Sequence, residues 1–405
     1  MHALVLIIDG LGDLPVTALG KRTPLEAAAT PNLDRLANAG SCGLVDPIGG
    51  GELPSTNSGA GMLLGLAPEQ AGWLQRGPVE AAGLGLPMRD GDMALRANFA
   101  TLAGGADNCV VLDRRAGRIR QGAAELAAGF ADVDLGHGVS AALHPTEQHR
   151  AALVLSGPGL DADITDTDPG DVALPVPLLP SRGRHPGAEF TAGRLNAFIR
   201  LAHEQLKDHA INRERAVRGL PPANGLITRG AGLVRRFDNH IVRAGLRAAV
   251  VTGCNTVRGL GRLFGFATPA DPRFTGDIDT DLDAKLRTAL DTLPAHDLVF
   301  VHIKAPDVCA HDRQPGLKRD FLERLDTALS VVVGRELLLA VAADHTTDSN
   351  TGFHTADPVP ALICSARATA VADGGGFSER ACRNGSMPRQ TGAEFIRRVL
   401  ARMHP

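Results

Sequence analysis

Short apolar runs alternate along the chain with segments of helical periodicity. Five runs have the length and nearly continuous apolar character of buried strands: residues 4–8, 247–251, 298–303, 337–343 and 360–364. Residues 281–293 and 317–333 instead repeat their apolar positions at helical spacing. This alternation predicts an α/β fold whose mostly parallel sheet is flanked by helices.

The middle of the chain differs from both ends. Between residues 92 and 245 the predicted elements are shorter and interspersed with Gly and Pro, although 151–155 and 225–228 have strand-like sequences. A chain of 405 residues is long enough for two domains. We therefore expect a discontinuous core domain of residues 1–91 and 246–405, with a smaller α/β domain of residues 92–245 inserted into it.

The overall charge and composition exclude several classes of protein. The formal net charge is only −3, whereas a general nucleic-acid binder carries a basic excess. No stretch approaches the roughly 18 apolar residues of a membrane helix. The six cysteines are never spaced as CxxC, which suits neither a disulfide framework nor a zinc ribbon. We expect a cytoplasmic protein without nucleic-acid or membrane partners, and with room for a local basic pocket that binds a small anion.

Three predicted strands end in, or lead within a few residues to, carboxylates and histidines. They are followed in turn by Asp9, by Asp307 and His311, and by Asp344, His345 and His354. Ligands of parallel sheets bind outside the carboxyl ends of the strands. A single aspartate in such a place is most often a helix cap, but three aspartates accompanied by three histidines indicate a metal centre.

The residue types narrow the choice of metal. Carboxylates and imidazoles without cysteine suit Zn²⁺ or Mn²⁺ better than Ca²⁺ or Mg²⁺ alone. Six such ligands are too many for one tetrahedral ion. They suit two ions about 3.5–4 Å apart, which clamp the attacking and leaving oxygens in a displacement at phosphorus. The sequence therefore predicts a two-metal phosphoryl-transfer site.

A loop of small residues at 49–61 offers a nucleophile for this site. It contains Ser55, Thr56 and Ser58 and leads into an apolar run that starts at Met62. A hydroxyl at the start of a helix would have backbone N–H groups and the positive end of the helix dipole beside its phosphate. The alternative is that these hydroxyls only cap the helix.

An ordered set of motifs resembles one enzyme family over nearly the whole chain. The motifs are Ile7–Asp13, Thr23–Ala27, Thr30–Asp34, Arg76–Ala81, Arg96–Thr101, Asp113–Arg118, Asp166–Pro169, Arg229–Gly232, His302–His311, Ala343–Thr346 and His354–Pro360. They are similar to those of the archaeal-type, cofactor-independent phosphoglycerate mutases of the alkaline phosphatase superfamily. The resemblance implies an alkaline-phosphatase-like core and interconversion of 3-phosphoglycerate and 2-phosphoglycerate without bisphosphoglycerate. It also implies a site for two divalent ions. We expect these to be Mn²⁺ or Zn²⁺, with Mg²⁺ or Co²⁺ as alternatives.

The resemblance assigns each ligand to an ion. One ion would be held by Asp307, His311 and His354. The other would be held by Asp9, Asp344, His345 and the oxygen of the nucleophile. Lys304 and Asp312 flank these ligands and are expected to support them.

The chain departs from the family at the nucleophile and beside it. An ungapped comparison places Thr56 at the family's serine and Ala60 at its histidine, whereas a gapped one selects Ser58. We favour Thr56. Arg258 stands where the family has a lysine near the transferred phosphoryl group, and its planar guanidinium need not reproduce the geometry of an ammonium. We expect Thr56 and Arg258 to be catalytic, with two rivals: a phosphatase, phosphodiesterase or phosphonate-processing activity, or a metal-binding protein without turnover.

The inserted domain supplies candidate groups for the phosphate and carboxylate of the substrate, which guanidinium forks bind well. The candidates are Arg114, Arg115, Arg118, His149, Arg150, Asp166 and Arg229. The alternative is a solvated basic face, and Asp166 could instead cap a turn. We expect these residues to bind a small phosphorylated substrate, which a closed cleft retains while the phosphoryl group is on Thr56.

Overall fold

The chain divides between a discontinuous unit and an intervening one. The computed structural model describes residues 1–105, 108–146, 148–170, 172–367 and 375–403. The first unit consists of Met1–Gly72 and Phe237–Pro405, and the second consists of Trp73–Arg236.

The helices and strands follow one another in three stretches. The first unit begins with β1 (Ala3–Ile8), α1 (Pro24–Ala27), α2 (Pro31–Ala39), β2 (Ser41–Asp46) and α3 (Thr56–Leu63). The second unit contains α4 (Arg76–Leu84), β3 (Met93–Ala103), β4 (Val110–Asp113), α5 (Ala123–Ala127), β5 (Val133–Asp134), β6 (Ser140–Pro145), β7 (Arg150–Ser156), β8 (Val176–Pro177), α6 (Glu189–Lys207), α7 (Ala210–Val217) and β9 (Gly225–Leu233). The first unit resumes with α8 (His240–Arg243), β10 (Ala248–Thr252), α9 (Asn255–Leu263), α10 (Leu282–Thr292), β11 (Leu298–Ile303), α11 (Ala305–His311), α12 (Pro315–Ala328), β12 (Leu338–Ala342), β13 (Thr346–Asp348), β14 (Phe353–Thr355), β15 (Val359–Ser365), α13 (Glu379–Arg383), β16 (Gln390–Thr391) and α14 (Gly392–Met403).

A seven-stranded sheet organises the first unit. Its order is β10-β11-β1-β12-β15-β2-β16, and the first four strands run parallel. β15 is antiparallel to both of its neighbours. The parallel strands are buried along their whole length, which explains their nearly continuous apolar sequences. The mostly parallel α/β fold expected from the sequence is confirmed.

The predicted elements of this sheet coincide closely with the observed ones. All five predicted strands match β1, β10, β11, β12 and β15 to within one residue at each end. The helix expected at 317–333 is shifted, because α12 already begins at Pro315, a residue favoured in the first turn, and ends at Ala328.

The second unit is built on an antiparallel sheet. Its order is β5-β6-β7-β3-β4-β8, and β9 pairs with β3. The long strand β3 lies between β7 and β9, so Arg96 is opposite Ala152 on one side and Arg229 on the other. Phe130 and Phe198 meet edge to face in the core, with ring centroids 5.8 Å apart. The central strand thus brings arginines from separate parts of the chain to one face.

The observed boundaries differ from those expected from the sequence. Helix α4 was expected in the core domain, since it precedes residue 92, but it belongs to the second unit. The physical reason is its close packing on β3. A Cβ added at Gly77 of α4 would lie 2.1 Å from the carbonyl oxygen of Ala94.

Within the described part of the chain, no helix has both the length and the apolar character needed to cross a membrane.

Candidate metal centre and anion cavity

The sheet of the first unit brings the strand-end carboxylates and histidines together. Because β1 pairs with β11 on one side and β12 on the other, the segments that follow these three strands are neighbours. Three sets of side chains have potential ligand atoms within 4.8 Å of one another: Asp307, His311 and His354; Asp9, His302 and Asp344; and Asp9, Asp307 and His345. All six ligands predicted from the sequence lie in this cluster.

His311 and His354 both direct Nε2 to the Asp307 carboxylate. Nδ1 of His311 lies 2.8 Å from the Gly352 carbonyl oxygen, and Nδ1 of His354 lies 3.1 Å from that of Pro54. Since a carbonyl only accepts, each neutral ring carries its proton on Nδ1. The two Nε2 atoms lie 3.3 and 3.6 Å from Asp307 Oδ1. Metal-binding histidines are oriented in this way by backbone carbonyls.

Two buried carboxylate oxygens in the cluster have no hydrogen-bond partner among the described residues, Asp9 Oδ1 and Asp344 Oδ2. The cationic group nearest to both oxygens is the His345 ring, whose Nε2 lies 3.1 Å from Asp9 Oδ1 and 3.4 Å from Asp344 Oδ2. Nδ1 of His345 is bonded to the hydroxyl of Thr347 at 3.0 Å. Orphaned buried oxygens are costly unless a cation satisfies them. The donor set of the cluster therefore fits divalent metal ions.

Burial and mutual repulsion shift the pKa values of these groups. Burial and the neighbouring Asp9 carboxylate raise the pKa of Asp344 to about 6. Burial by itself would lower the pKa of His345, but the Asp344 and Asp9 carboxylates raise it to about 9. Burial would likewise lower the pKa of Lys304, yet Asp9 and Asp307 hold it well above its usual range. The carboxylates of the cluster thus stabilise the positive charges of the basic groups next to them.

The start of α3 distinguishes between the candidate hydroxyls. Ser55 is the N-cap residue and forms a reciprocal capping box with Ser58, whose hydroxyl lies 2.9 Å from the Ser55 backbone nitrogen. Thr56 takes no part in the cap. Its Oγ1 lies 3.4 Å from His345 Nε2 and 3.5 Å from Lys304 Nζ. The capping role is therefore taken by the two serines, and the threonine hydroxyl adjoins the ligand cluster.

Arg258, on helix α9, does not hydrogen-bond the hydroxyl that the sequence comparison predicts it to assist. Its Nη2 donates to the carbonyl oxygen of Thr252 at 3.2 Å. Among the described residues, no hydrogen bond or ion pair joins its guanidinium to Thr56 or to the candidate ligands. Lys304 is the basic side chain that does contact them, whereas Asp312 is exposed at the end of α11.

Sequence reasoning missed two members of the cluster. His302 Nε2 lies 3.1 Å from Asp9 Oδ2, and the hydroxyl of Thr347 donates to Asp307 Oδ1 at 2.7 Å. His302 could have been found, because it is a polar residue inside the otherwise apolar strand β11, in register with Ile7 of β1. Thr347 carries no comparable signal, since its role depends on the direction of a short hydroxyl side chain.

A strongly basic cavity of about 470 Å³ lies within the second unit. It is lined by Arg76, Arg96, Asn98, Arg114, Arg115, Arg118, Gln148, His149, Arg150 and Arg229. Six of the seven substrate-binding residues predicted from the sequence are in this set. Asp166 is not, and its carboxylate instead accepts from the Gly230 backbone N–H at 2.9 Å, as the turn-capping alternative anticipated. Arg76 and Arg96 also line the cavity. Both lie in motifs shared with the family, but the sequence did not mark them as substrate-binding residues.

The carboxylates of Asp168 and Glu80 pair with arginines that line the cavity and fix their orientation. Asp168 accepts from Arg114 at 2.6 Å (Nε) and 3.1 Å (Nη2), and Arg229 Nε lies 3.8 Å from the same carboxylate. Glu80 pairs with Arg76 at 2.7 Å and with Arg96 at 3.4 Å. Bidentate pairing holds a guanidinium in one plane. The cavity therefore presents preoriented donors.

The loop that carries three of these arginines has an unusual backbone. Ala116, Gly117 and Arg118 have φ values of 45°, 63° and 55°, in the left-handed region. The Asp113 carboxylate accepts from the N–H groups of Arg115 and Gly117 at 2.8 and 2.6 Å and so closes the loop. Strain of this kind persists where surrounding contacts impose it, and it is common at ligand sites.

The charge of the cavity lowers the pKa of its own basic groups. Burial and the neighbouring Arg150, Arg115 and Arg96 lower the pKa of His149 to about 4. Burial, outweighing its pair with Glu80, lowers the pKa of Arg96 to about 10. His149 is thus neutral at pH 7 while the arginines stay charged. The cavity suits a small polyanion.

The mostly parallel core sheet and the carboxylate–imidazole cluster at its carboxyl edge define a class, the α/β proteins with a candidate metal centre at the strand ends. Comparison with known proteins narrows this class. Residues 37–212 match the family described as 2,3-bisphosphoglycerate-independent phosphoglycerate mutase. The chain belongs to the 2,3-bisphosphoglycerate-independent phosphoglycerate mutase family, because relatives of that description match it at 39–43% identity over at least 90% of its length.

Relatives and one solved structure are similar over most of their length. A 2,3-bisphosphoglycerate-independent phosphoglycerate mutase of Methanopyrus kandleri is 43% identical over 373 residues, which cover 90% of this chain and 88% of the relative. A protein of the same description from Ignicoccus hospitalis is 39% identical, covering 98% of this chain and 96% of the relative. The structure of a cofactor-independent phosphoglycerate mutase from Thermoplasma acidophilum superposes with a TM-score of 0.75, at 33% identity and covering 99% of both chains.

Proposed function

We propose that this chain interconverts 3-phosphoglycerate and 2-phosphoglycerate, without bisphosphoglycerate, through a phosphothreonine formed on Thr56. The observation that carries the proposal is the position of Thr56. Its hydroxyl is not needed for the helix cap and adjoins His345 and Lys304 at the edge of the carboxylate–imidazole cluster. Family membership supports the substrate pair, because the relatives carry that enzyme's name.

Two divalent ions fit the proposed site, and we expect the site to prefer Mn²⁺ or Zn²⁺ over other metals. Asp307, His311 and His354 would hold one ion, and Asp9, Asp344 and His345 would hold the other. The convergence of His311 Nε2 and His354 Nε2 on Asp307, and the pair of buried Asp9 and Asp344 carboxylates that face His345 Nε2, support this division. When bound, such ions lower the pKa of a coordinated hydroxyl and neutralise charge on phosphoryl oxygens.

The proposed reaction has two balanced half-reactions. In the first, Thr56 Oγ1 forms a bond to phosphorus while the ester bond between phosphorus and the substrate oxygen breaks. The proton lost by Thr56 is matched by the proton gained by the released glycerate hydroxyl. In the second, the other glycerate hydroxyl takes the phosphoryl group from Thr56, which recovers its proton. Two in-line displacements leave the enzyme unchanged.

We assign the arginine-lined cavity to the anionic groups of the substrate. A phosphoglycerate carries a phosphate and a carboxylate, and guanidinium groups bind both bidentately. Retaining glycerate between the half-reactions distinguishes a mutase from a phosphatase.

We also assign the protein to the cytoplasm, where thiols stay reduced, and none of its six cysteines forms a disulfide.

A coupled enolase assay with Mn²⁺ and no bisphosphoglycerate tests the activity. Thr56→Val should abolish both turnover and acid-stable phosphoenzyme, and Thr56→Ser should retain both. Ser58→Ala is the matched comparison. It should keep the phosphoenzyme and lose about 1 kcal/mol of stability, because it removes half of the capping box. Inorganic phosphate as the only product, or a phosphoenzyme that survives Thr56→Val, would contradict the proposal.

A further inference from the structure

Phosphorylation of Thr56 would place a strongly negative group beside three carboxylates. A phosphate monoester carries a charge of about −1.5 to −2 at neutral pH, and Asp9, Asp307 and Asp344 belong to the adjoining cluster. Charge that develops on a transferred phosphoryl group must be met by preorganised donors or cations if transfer is to be fast. A basic side chain of the chain itself is therefore expected at Thr56.

Two basic side chains compete for this role, and their contacts separate them. Arg258 donates to the carbonyl oxygen of Thr252. Lys304 instead places Nζ 3.5 Å from Thr56 Oγ1. The Lys304 side chain is only 21% exposed, so its stem is packed and its ammonium is held at the cluster.

The backbone positions Lys304 beside the ligands. β11 stays in register with β1 as far as the pair Ile8 and Ile303, and Lys304 follows as the N-cap residue of α11. The side chain therefore leaves the sheet next to Asp9. Nζ lies 2.9 Å from Asp9 Oδ2 and 2.5 Å from Asp307 Oδ2. An ammonium has three donors, and here they are directed to two carboxylates and to the nucleophile.

We propose that Lys304 is a catalytic residue of the phosphoryl transfer. Its ammonium hydrogen-bonds the Thr56 oxygen before transfer and the phosphoryl oxygens afterwards, and it neither gains nor loses a proton. When Asp9 and Asp307 hold divalent ions, the Lys304 donors that are now directed to those carboxylates would be free for the phosphoryl oxygens. The proposal rests on the proposed function, because it requires a phosphothreonine at Thr56.

The test uses the full chain loaded with Mn²⁺ and measures two quantities. Rapid quenching with ³²P-labelled 3-phosphoglycerate gives the rate of phosphoenzyme formation, and elemental analysis gives the metal content per chain. Lys304→Gln should slow phosphoenzyme formation by about 10²–10³-fold, the usual effect of losing one transition-state donor. Its metal content should be equal or higher, because a cation that competes for Asp9 and Asp307 has been removed. Lys304→Arg should form the phosphoenzyme at least about tenfold faster than Lys304→Gln, since it restores a charged donor.

The control and the contrary outcomes are separate measurements. Lys21→Gln, at an exposed position, should match the unsubstituted chain in both quantities. A Lys304→Gln variant with an unchanged rate, or one that loses its metal, would overturn the catalytic role. So would loss of the phosphoenzyme in Arg258→Gln with retention in Lys304→Gln. No phosphoenzyme in the unsubstituted chain would overturn the proposed function and this inference together.

Discussion

The Nε2 atoms of His311 and His354 face each other across 3.2 Å. Both rings use Nδ1 to bond a backbone carbonyl, so in their neutral forms both direct an Nε2 lone pair to this point. Two such lone pairs and the Asp307 carboxylate repel one another unless a proton or a metal cation lies among them, and the Asp307 carboxylate accordingly raises the pKa of His311. The three side chains therefore form a candidate site for a divalent ion, with the rings oriented by the backbone carbonyls of Pro54 and Gly352.

Replacing one ring should remove one ion. His354→Gln should bind about one fewer divalent ion per chain, and it should lose most of the rise in melting temperature that Mn²⁺ or Zn²⁺ gives to the unsubstituted chain, because an ion bound only to the folded state stabilises it. Metal analysis after dialysis and thermal unfolding with and without EDTA measure both effects. His185→Gln, exposed beside Asp161, is the control. Unchanged metal content in His354→Gln would exclude this ring as a ligand.

Asp168 should control substrate affinity through the arginines that it holds. Its carboxylate is 1% exposed and bonds Arg114 through two N–H groups. Asp168→Asn keeps the size but loses the charge, so we expect KM to rise about 10–100-fold, the worth of a charge-assisted hydrogen bond. kcat should change less. Steady-state kinetics measure both, with the exposed Asp163→Asn as comparison. Equal KM values for the two variants would contradict this role.

His149 should make stability depend on acidic pH. Its folded-state pKa of about 4 lies below the ordinary 6.5. As the pH falls below about 6.5, the imidazole is protonated in the unfolded chain but not yet in the folded one. The free energy of unfolding therefore decreases down to about pH 4. Over this range the equilibrium constant for unfolding rises by at most about tenfold per pH unit. His149→Gln should therefore lose less stability between pH 7 and pH 5. Urea midpoints measure this, with pH 8 as the baseline because His149 is neutral there in both states. Parallel losses in both proteins would contradict the prediction.

Gly59 should be irreplaceable because α3 passes so close to Asp344. A Cβ at Gly59 would lie 1.8 Å from the Asp344 carbonyl oxygen. Gly→Ala within a helix normally stabilises, but here we expect Gly59→Ala to destabilise by about 1–3 kcal/mol and to lower metal content, because the ligand and the helix must separate. Thermal unfolding and metal analysis test this. Gly50→Ala, which meets nothing within 4 Å, is the control. A gain in stability for Gly59→Ala would refute the prediction.

Much of the fold could be predicted because its signals are local. The parallel strands of the first unit are buried on both faces, so each shows as an uninterrupted apolar run, such as that ending at Ile8. The carboxylates and histidines at the strand ends could be recognised by residue type and position. Parallel pairing then brings Asp9 and Asp344 together, although 335 positions separate them in sequence.

Other features depended on side-chain directions that no local pattern encodes. Ser55, Thr56 and Ser58 are equivalent as hydroxyls at the start of a helix, and only the capping box shows which one is left over. Arg258 and Lys304 both carry a positive charge near predicted ligands, but the path of β11 into α11 directs Lys304 to Thr56.

By itself, the sequence determined the α/β class, the six candidate ligands at the strand ends and most of the arginines of the second unit, because each depends on residue type and short-range periodicity. The tertiary structure decided which hydroxyl adjoins the cluster, which basic group lies beside it, the placement of α4 and the addition of Arg76 and Arg96 to the cavity. These depend on distances of a few ångströms between residues far apart in the chain, which packing sets and periodicity does not.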